Sequence, residues 1–387
     1  MTVSARRRSA TRRYRSRALA TLTWLVPLVA LTALAAACGQ TGDGQAQTKG
    51  EAMTSTKTRT PGEHERQEAT LMAWPYKTAI WEDKLAPLQA EIAAIARAIA
   101  AHQPVTMAAA PGHEAEARRA CGPDVQVVSL EYDDCWTRDM GPIGVYRAGE
   151  RIGLDWRFNC GGGKFPPWEK DDAFAAEACA ALGMPAQPVD MVLEGGAVII
   201  DGEGTLVTTE ECLLNENRNP GMTKAEIEAT LKEEFGVTKV IWLPYGLAGD
   251  TITDGHVDGV AAFVRPGVLV VQAGPAGTPD HERLAKNRAV LERSTDARGR
   301  HFELIEMRPY PTLSFGSYET SHSYVNYYVC NGAVIVPLCG RATDDEAALA
   351  TLRAAFPERE VVGVVCPTVT YGGGGVHCVT QQVIPTL

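Results

Sequence analysis

The sequence predicts an α/β fold built as a closed radial array of five repeated units. Three observations carry this reading: five stretches with helical apolar spacing, a short apolar strand after each, and a polar, glycine-rich stretch with hairpin-like strands beyond. With 387 residues, 45% of them hydrophobic, the chain has ample material for a buried core. Intrinsic disorder and a disulfide-held miniprotein are excluded.

Leu85, Leu88, Ile92, Ile95 and Ile99 recur at spacings of three and four, marking one apolar face of a helix over about Trp81 to His102. A second helix runs from Asp171 to Leu182 and stops at Gly183. The third opens at a capping box, Thr223 with Glu226, and ends at Gly236. A fourth runs from Asp280 to about Arg293, and Thr343 with Glu346 opens the fifth, which stops before Pro357. Each leads, directly or after one short insertion, to a strand: 125–130, 189–193, 239–243, 302–306 and 361–365. Hairpin-like pairs follow, as in 198–207 and 262–271, so the unit reads α-β-loop-β-β. A unit of roughly 65 residues buries its sheet only against neighbours, and a closed array supplies them. A doubly wound parallel sheet would hold few such hairpins.

The amino terminus reads as an address. Arg6, Arg7, Arg8, Arg12, Arg13, Arg15 and Arg17 precede an uncharged run from Ala18 to Ala37, which ends in three alanines before Cys38. Residues 1–37 are therefore expected to be an export signal, although the run is also long enough to stay as a membrane anchor. Leu34 to Cys38 resembles a bacterial lipobox, which implies lipidation of Cys38, and Thr11-Arg12-Arg13-Tyr14 resembles a twin-arginine signal. Residues 38–60 are expected to be a flexible tether and 61–387 one catalytic domain, exported and lipid-anchored on the outer face of the cell membrane.

The net charge is −10, and taking away the seven arginines of the first 37 residues leaves −17. A body this acidic repels nucleic acid and anionic lipid and attracts a small cation. Cys121, Cys135, Cys160, Cys179, Cys212, Cys330, Cys339 and Cys366 show no paired spacing, so most are expected to be buried free thiols. The common zinc and P-loop signatures are absent from the sequence.

Four of the five units carry an unusual polar group after the strand: Trp136 to Asp139, Glu194-Gly195-Gly196, Gly255 to Asp258, and Gly372 to Cys378. In a radial array equivalent loops converge, so these residues are expected to share one pocket. Singly, Asp139 could be a turn residue, His256 with Asp258 a structural pair, and Cys378 a core thiol. Together they offer one thiol, one imidazole and three carboxylates. One cysteine with one histidine makes a poor structural zinc site, and carboxylates disfavour an oxyanion, so no metal is expected and a cation is. A guanidinium, planar and always charged, matches paired carboxylates. Asp139 and Asp258 are then expected to grip it over Cys378, whose thiolate attacks the central carbon. His256 would protonate departing ammonia and then activate water, with Glu194 orienting it. This chemistry needs no metal or organic cofactor.

The segments Cys135 to Pro142, Leu193 to Gly196 with Asp201-Gly202, Asp254 to Asp258 and Gly372 to Gln382 resemble the guanidine-modifying superfamily, most closely the agmatine deiminases of the bacterial peptidylarginine deiminase-like group. Asn215 to Pro220, Trp168 to Asp172 and Ser323 to Asn326 match it too. The resemblance implies a pentein, a five-bladed α/β propeller of ββαβ-type repeats. It also implies Cys378 as nucleophile, His256 as acid and base, Asp139 and Asp258 as guanidinium ligands, Glu194 as a further catalytic carboxylate, and Trp136 against the substrate's aliphatic stem; Trp136 as a plain core residue stays open. The implied reaction turns agmatine into N-carbamoylputrescine and ammonia through a cysteine thiouronium intermediate, on the path to putrescine. Two departures stand out: Asn159-Cys-Gly-Gly-Gly163, shorter than the family's usual loop, and Ile252, four residues before the histidine, where an acid is common. Rival readings are an exported protein-arginine deiminase, an amidinotransferase, and a surface lipoprotein that only binds guanidines or polyamines.

Overall fold

Five sheets repeat one pattern in the computed structural model, which describes residues 57–320 and 322–387. The predicted signal 1–37, Cys38 and the tether as far as residue 56 lie outside the described residues. In the second sheet Ile143–Arg147 and Glu150–Arg157 form a hairpin, helix Glu169–Ala181 follows, and Ala186–Val192 returns parallel to the second hairpin strand. The third sheet repeats this with Val198–Ile200, Thr205–Thr209, helix Lys224–Phe235 and Lys239–Leu243. The fourth uses Ala261–Arg265, Val268–Gln272, helix Pro279–Arg293 and Glu303–Met307. The fifth uses Tyr328–Cys330, Ala333–Leu338, helix Ala342–Ala355 and Glu360–Val365. The expected unit is this ββαβ pattern read from a different starting point, and the fold is mixed α/β.

The first sheet is assembled from both ends of the described chain. Ala69–Ala73 pairs antiparallel with Gln381–Val383 and parallel with Val105–Ala109, which in turn pairs with Val125–Ser129. The short insertion expected before Val125 is itself a strand and a helix, Glu114–Cys121. Pairing with Gln381–Val383 places Ala69–Ala73 inside the sheet, whose edge strands are Gln381–Val383 and Val125–Ser129.

Two expectations about helices need correction. The first long helix is Leu85–Ala100; Thr78–Trp81 is a separate turn, because Glu82 takes a left-handed φ of 47° and ends it. Its buried face is Leu88, Ile92, Ile95 and Ile99. Thr343 does not cap the fifth helix: Arg341 holds that position without a side-chain bond, and buried Asp345 instead accepts from the backbone N–H groups of Cys339 and Gly340. The Thr223–Glu226 capping box forms as expected, and Gly236 ends that helix at φ 67°.

Candidate active site

Each site side chain is set by a short turn between sheets. After Val125–Ser129 the chain makes one helical turn, Thr137–Met140, whose Arg138 N–H donates to the carbonyl of Cys378 at 3.2 Å. This ties Asp139 to the Cys378 segment. Asp139 Oδ1 accepts from Gly196 N–H at 3.1 Å, so the loop carrying Glu194 joins the same place. A Cβ on Gly196 would lie 2.5 Å from His256 Nδ1, 2.9 Å from Asp258 Oδ2 and 3.0 Å from Asp139 Oδ1. Only glycine lets these three groups face one gap.

The tract before His256 is braced by its own polar side chains. Asp250 accepts from the N–H groups of Ile252, Thr253 and Gly255, Thr253 Oγ1 accepts from His256 N–H at 3.2 Å, and Asp254 binds Lys164, Asn217 and Arg218. The buried His256 ring then lies 3.7 Å from Asp139 Oδ1 through Nδ1 and 3.8 Å from Glu194 Oε2 through Nε2. Neither ring nitrogen has a hydrogen-bond partner among the described residues. Burial opposes charge on this ring, but Asp139 and Glu194 raise its pKa well above the usual histidine value. Glu194 is pulled the other way: against burial, His256 and Arg218 lower it to about 2. Arg218, wholly buried, bridges Glu194 at 2.9 Å and Asp254 at 2.7 Å.

Cys378 follows helix Pro367–Tyr371 and the glycine run. A Cβ on Gly372 would strike the Trp81 ring at 2.4 Å, and one on Gly374 the Trp136 ring at 2.3 Å, so these glycines allow close approach to aromatic walls. Cys378 Sγ lies 3.4 Å from Asn326 Oδ1 and 3.9 Å from Asp258 Oδ2. Burial, with Asp258 and Asp139 nearby, pushes its thiol well above the usual cysteine value. A guanidinium bound between these carboxylates would lower it. Asp139 is raised to about 6 by burial, helped by Asp258 and Glu194 and opposed by His256.

Two cavities reach the thiol. One, of about 210 Å³, is walled by Trp81, Trp136, Phe158, Phe165 and Tyr371 and reaches Asp139, Glu194, His256 and Cys378. The other, of about 370 Å³, meets His256, Asp258, His322 and Cys378 and is bordered by Asp250, Asp280 and Glu319. Ile252 borders both, packed against Gly373. Trp136 is half-buried at the wall, its indole N–H and that of Trp81 both donating to Asp134 at 2.9 Å.

All six residues expected in the pocket, Trp136, Asp139, Glu194, His256, Asp258 and Cys378, are thus together. Sequence reasoning gave no role to Glu63, Arg218, Asn326 or His377. Arg218 and Asn326 stand inside segments that match the family, and His377 precedes the cysteine. Glu63 carries no sequence signal. Glu194, Cys212 and His256 could each offer a metal one ligand atom, all within 4.8 Å, but Arg218 already neutralises Glu194. The nine described cysteines are free, eight of them buried.

The chain is similar to known proteins along most of its length. A profile of the Porphyromonas-type peptidyl-arginine deiminase family matches residues 59–384. The agmatine deiminase of Stutzerimonas stutzeri is 41% identical over 349 residues, covering 83% of this chain and 94% of the relative. That of Pseudomonas aeruginosa is 40% identical over 351 residues, covering 84% and 95%. The solved structure of the Enterococcus faecalis agmatine deiminase, described as catalysing its reaction, superposes with a TM-score of 0.82 at 34% identity, covering 86% of this chain and 98% of that one. The chain therefore belongs to the Porphyromonas-type peptidyl-arginine deiminase family.

Proposed function

We propose that the chain hydrolyses the guanidine of agmatine, releasing ammonia and N-carbamoylputrescine. The observation that carries this reading is the lining of the two cavities: several carboxylates and, among the described lining residues, no Lys or Arg. An amine-terminated guanidine is attracted there, whereas free arginine would bring a carboxylate with no counter-cation. The named agmatine deiminases at about 40% identity support the same choice.

In this reading Asp139 and Asp258 bind the guanidinium and Trp136 flanks the aliphatic stem. The incoming positive charge offsets the two carboxylates, so the Cys378 proton passes to solvent and the thiolate forms as substrate binds. Sγ bonds to the guanidinium carbon. His256, protonated beforehand, gives its proton to one departing nitrogen; the C–N bond breaks, ammonia leaves and a planar thiouronium remains. Neutral His256 then takes a proton from water as the hydroxide oxygen bonds to the same carbon. Collapse to the ureido carbonyl breaks the C–S bond and returns the thiolate, and the hydroxyl proton passes to solvent. Glu194, held by Arg218, keeps His256 in place.

Two finer features belong to this proposal. The five sheets close into a five-bladed propeller: apolar clusters join the second sheet to the third, the third to the fourth, the fourth to the fifth and the fifth to the first, and strand Gln381–Val383 seals the ring. Residues 1–37 export the chain and Cys38 carries lipid, on the strength of the sequence pattern alone.

Ammonia and ureido product should be measured from agmatine, arginine and a blocked arginyl peptide, each beside a Cys378→Ser control. Turnover of agmatine, lost in the control, is the expected result. Preferential turnover of the peptide would transfer the function to protein-arginine deimination, and binding without turnover of any guanidine would favour a binding lipoprotein.

A further inference from the structure

Asp258 does not stand alone. Its Oδ2 lies 2.8 Å from His377 Nδ1, His377 Nε2 lies 2.9 Å from Glu63 Oε2, and Arg138 Nη2 lies 3.1 Å from that same Glu63 oxygen. The imidazole thus faces a carboxylate oxygen at hydrogen-bond distance through each nitrogen, an arrangement in which both nitrogens donate only when the ring is an imidazolium. Charge then alternates along the row: Arg138 positive, Glu63 negative, His377 positive, Asp258 negative. The row is fixed along its length. Arg138 Nε donates to the His377 carbonyl at 3.3 Å and its Nη1 to Gln382, while Glu63 Oε1 accepts from Val329 N–H at 2.8 Å. Arg138, Asp258 and His377 are buried, and Glu63 nearly so.

The two guanidinium carboxylates are therefore unlike. Asp139 accepts one backbone N–H and, among the described residues, pairs with His256 at 3.7 Å. Asp258 faces His377 directly, with His256, His322, Asp139 and the Cys378 thiol around it.

Building on the reading that Asp258 binds guanidinium, we propose that His377 is a positioning residue: held as an imidazolium between Glu63 and Asp258, it keeps Asp258 ionised and aimed at the guanidinium site before substrate arrives. The titration directions agree. Burial pushes Asp258 up, but the His377 hydrogen bond and charge more than offset it, leaving the carboxyl below its ordinary value. Burial and Arg138 push His377 down, yet Glu63 and Asp258 leave it above the ordinary histidine value. Asp258 is a preformed ligand, and Asp139 is the one whose charge answers the substrate.

His377→Asn and Glu63→Gln test this in the full chain. Asparagine can still donate to Asp258 but carries no charge, and Glu63 does not touch Asp258. KM and kcat for agmatine are measured from acidic to alkaline pH, and methylguanidine binding is measured calorimetrically in a Cys378→Ser background. His377→Asn should raise KM and the methylguanidine Kd about tenfold at neutral pH, with kcat changed less, as expected when a ground-state charge contact is weakened. The acid-side rise in KM should move to higher pH, because loss of the cation raises the Asp258 pKa. Glu63→Gln should shift it the same way by less, and the double variant should be less than additive. An unchanged KM profile in both single variants, or a parallel fall in kcat with no change in Kd, overturns the proposal. If His377→Asn does not fold, Glu63→Gln decides. If the wild type binds methylguanidine but turns over no agmatine, the agmatine reading fails and Kd alone decides this one.

Discussion

Cys378 Sγ lies 3.9 Å from Asp258 Oδ2, a thiol set against a buried carboxylate. Burial, with that carboxylate and Asp139 beside it, holds the thiol well above its ordinary value, and a bound guanidinium would oppose the two carboxylates. Neutral iodoacetamide should alkylate Cys378 slowly at neutral pH, while a cationic haloacetamidine of similar size reacts at least about tenfold faster. Mass spectrometry of the Cys378 peptide reads both rates. Equal rates would contradict activation by the bound cation.

Asp139, raised to about 6, sets an acid limb. Its carboxyl must be ionised to bind a guanidinium, so KM should rise as pH falls below that value, by about tenfold per unit. Asp139→Asn should raise KM at neutral pH and flatten that part of the profile. A steady-state pH series with agmatine checks both.

Gly196 tests the gap itself. Alanine at 196 would put a methyl among His256, Asp258 and Asp139. Activity should fall by roughly 100-fold, since an ångström of misplacement at a reacting centre has about that effect. Gly196 is buried and the methyl would push His256 and Asp258 aside, so the thermal midpoint should fall as well, and activity is read on the folded fraction. A collapse in Tm with unchanged specific activity of the folded fraction would show that the gap is not the substrate site.

Arg218 is a different case, a wholly buried cation shared by Glu194 and Asp254. Arg218→Leu leaves buried Glu194 without its cation, while partly exposed Asp254 keeps Lys164, and should destabilise by about 3–5 kcal/mol. Chemical denaturation measures that loss. Activity should vanish as well, because Glu194 no longer steadies His256.

Much of this site can be read in the linear sequence because the groups proposed to meet substrate follow a repeat. Asp139, Glu194, His256 and Cys378 each sit in a polar stretch after a strand, and a repeated unit brings such stretches together. Thr223, Glu226 and Gly236 likewise mark a helix whose ends are fixed by neighbours in sequence. What escapes reading is non-local. Glu63 meets His377 across 314 positions, and Ala69 pairs with Val383 because the first sheet borrows its fourth strand from the end of the chain. Neither partner carries a local pattern. Thr343 misleads for a related reason: Asp345, two residues on, binds the Cys339 and Gly340 amides, so capping goes to a residue whose partners lie outside the helix.

The central claim is a covalent thiouronium on Cys378. The most direct test is to quench the wild-type chain during turnover of agmatine and determine the mass of the Cys378 peptide. The account predicts an adduct equal to agmatine less ammonia, absent from Cys378→Ser and discharged to N-carbamoylputrescine on standing. Unmodified Cys378 in a chain that is releasing ammonia, or the adduct on another cysteine, would contradict it.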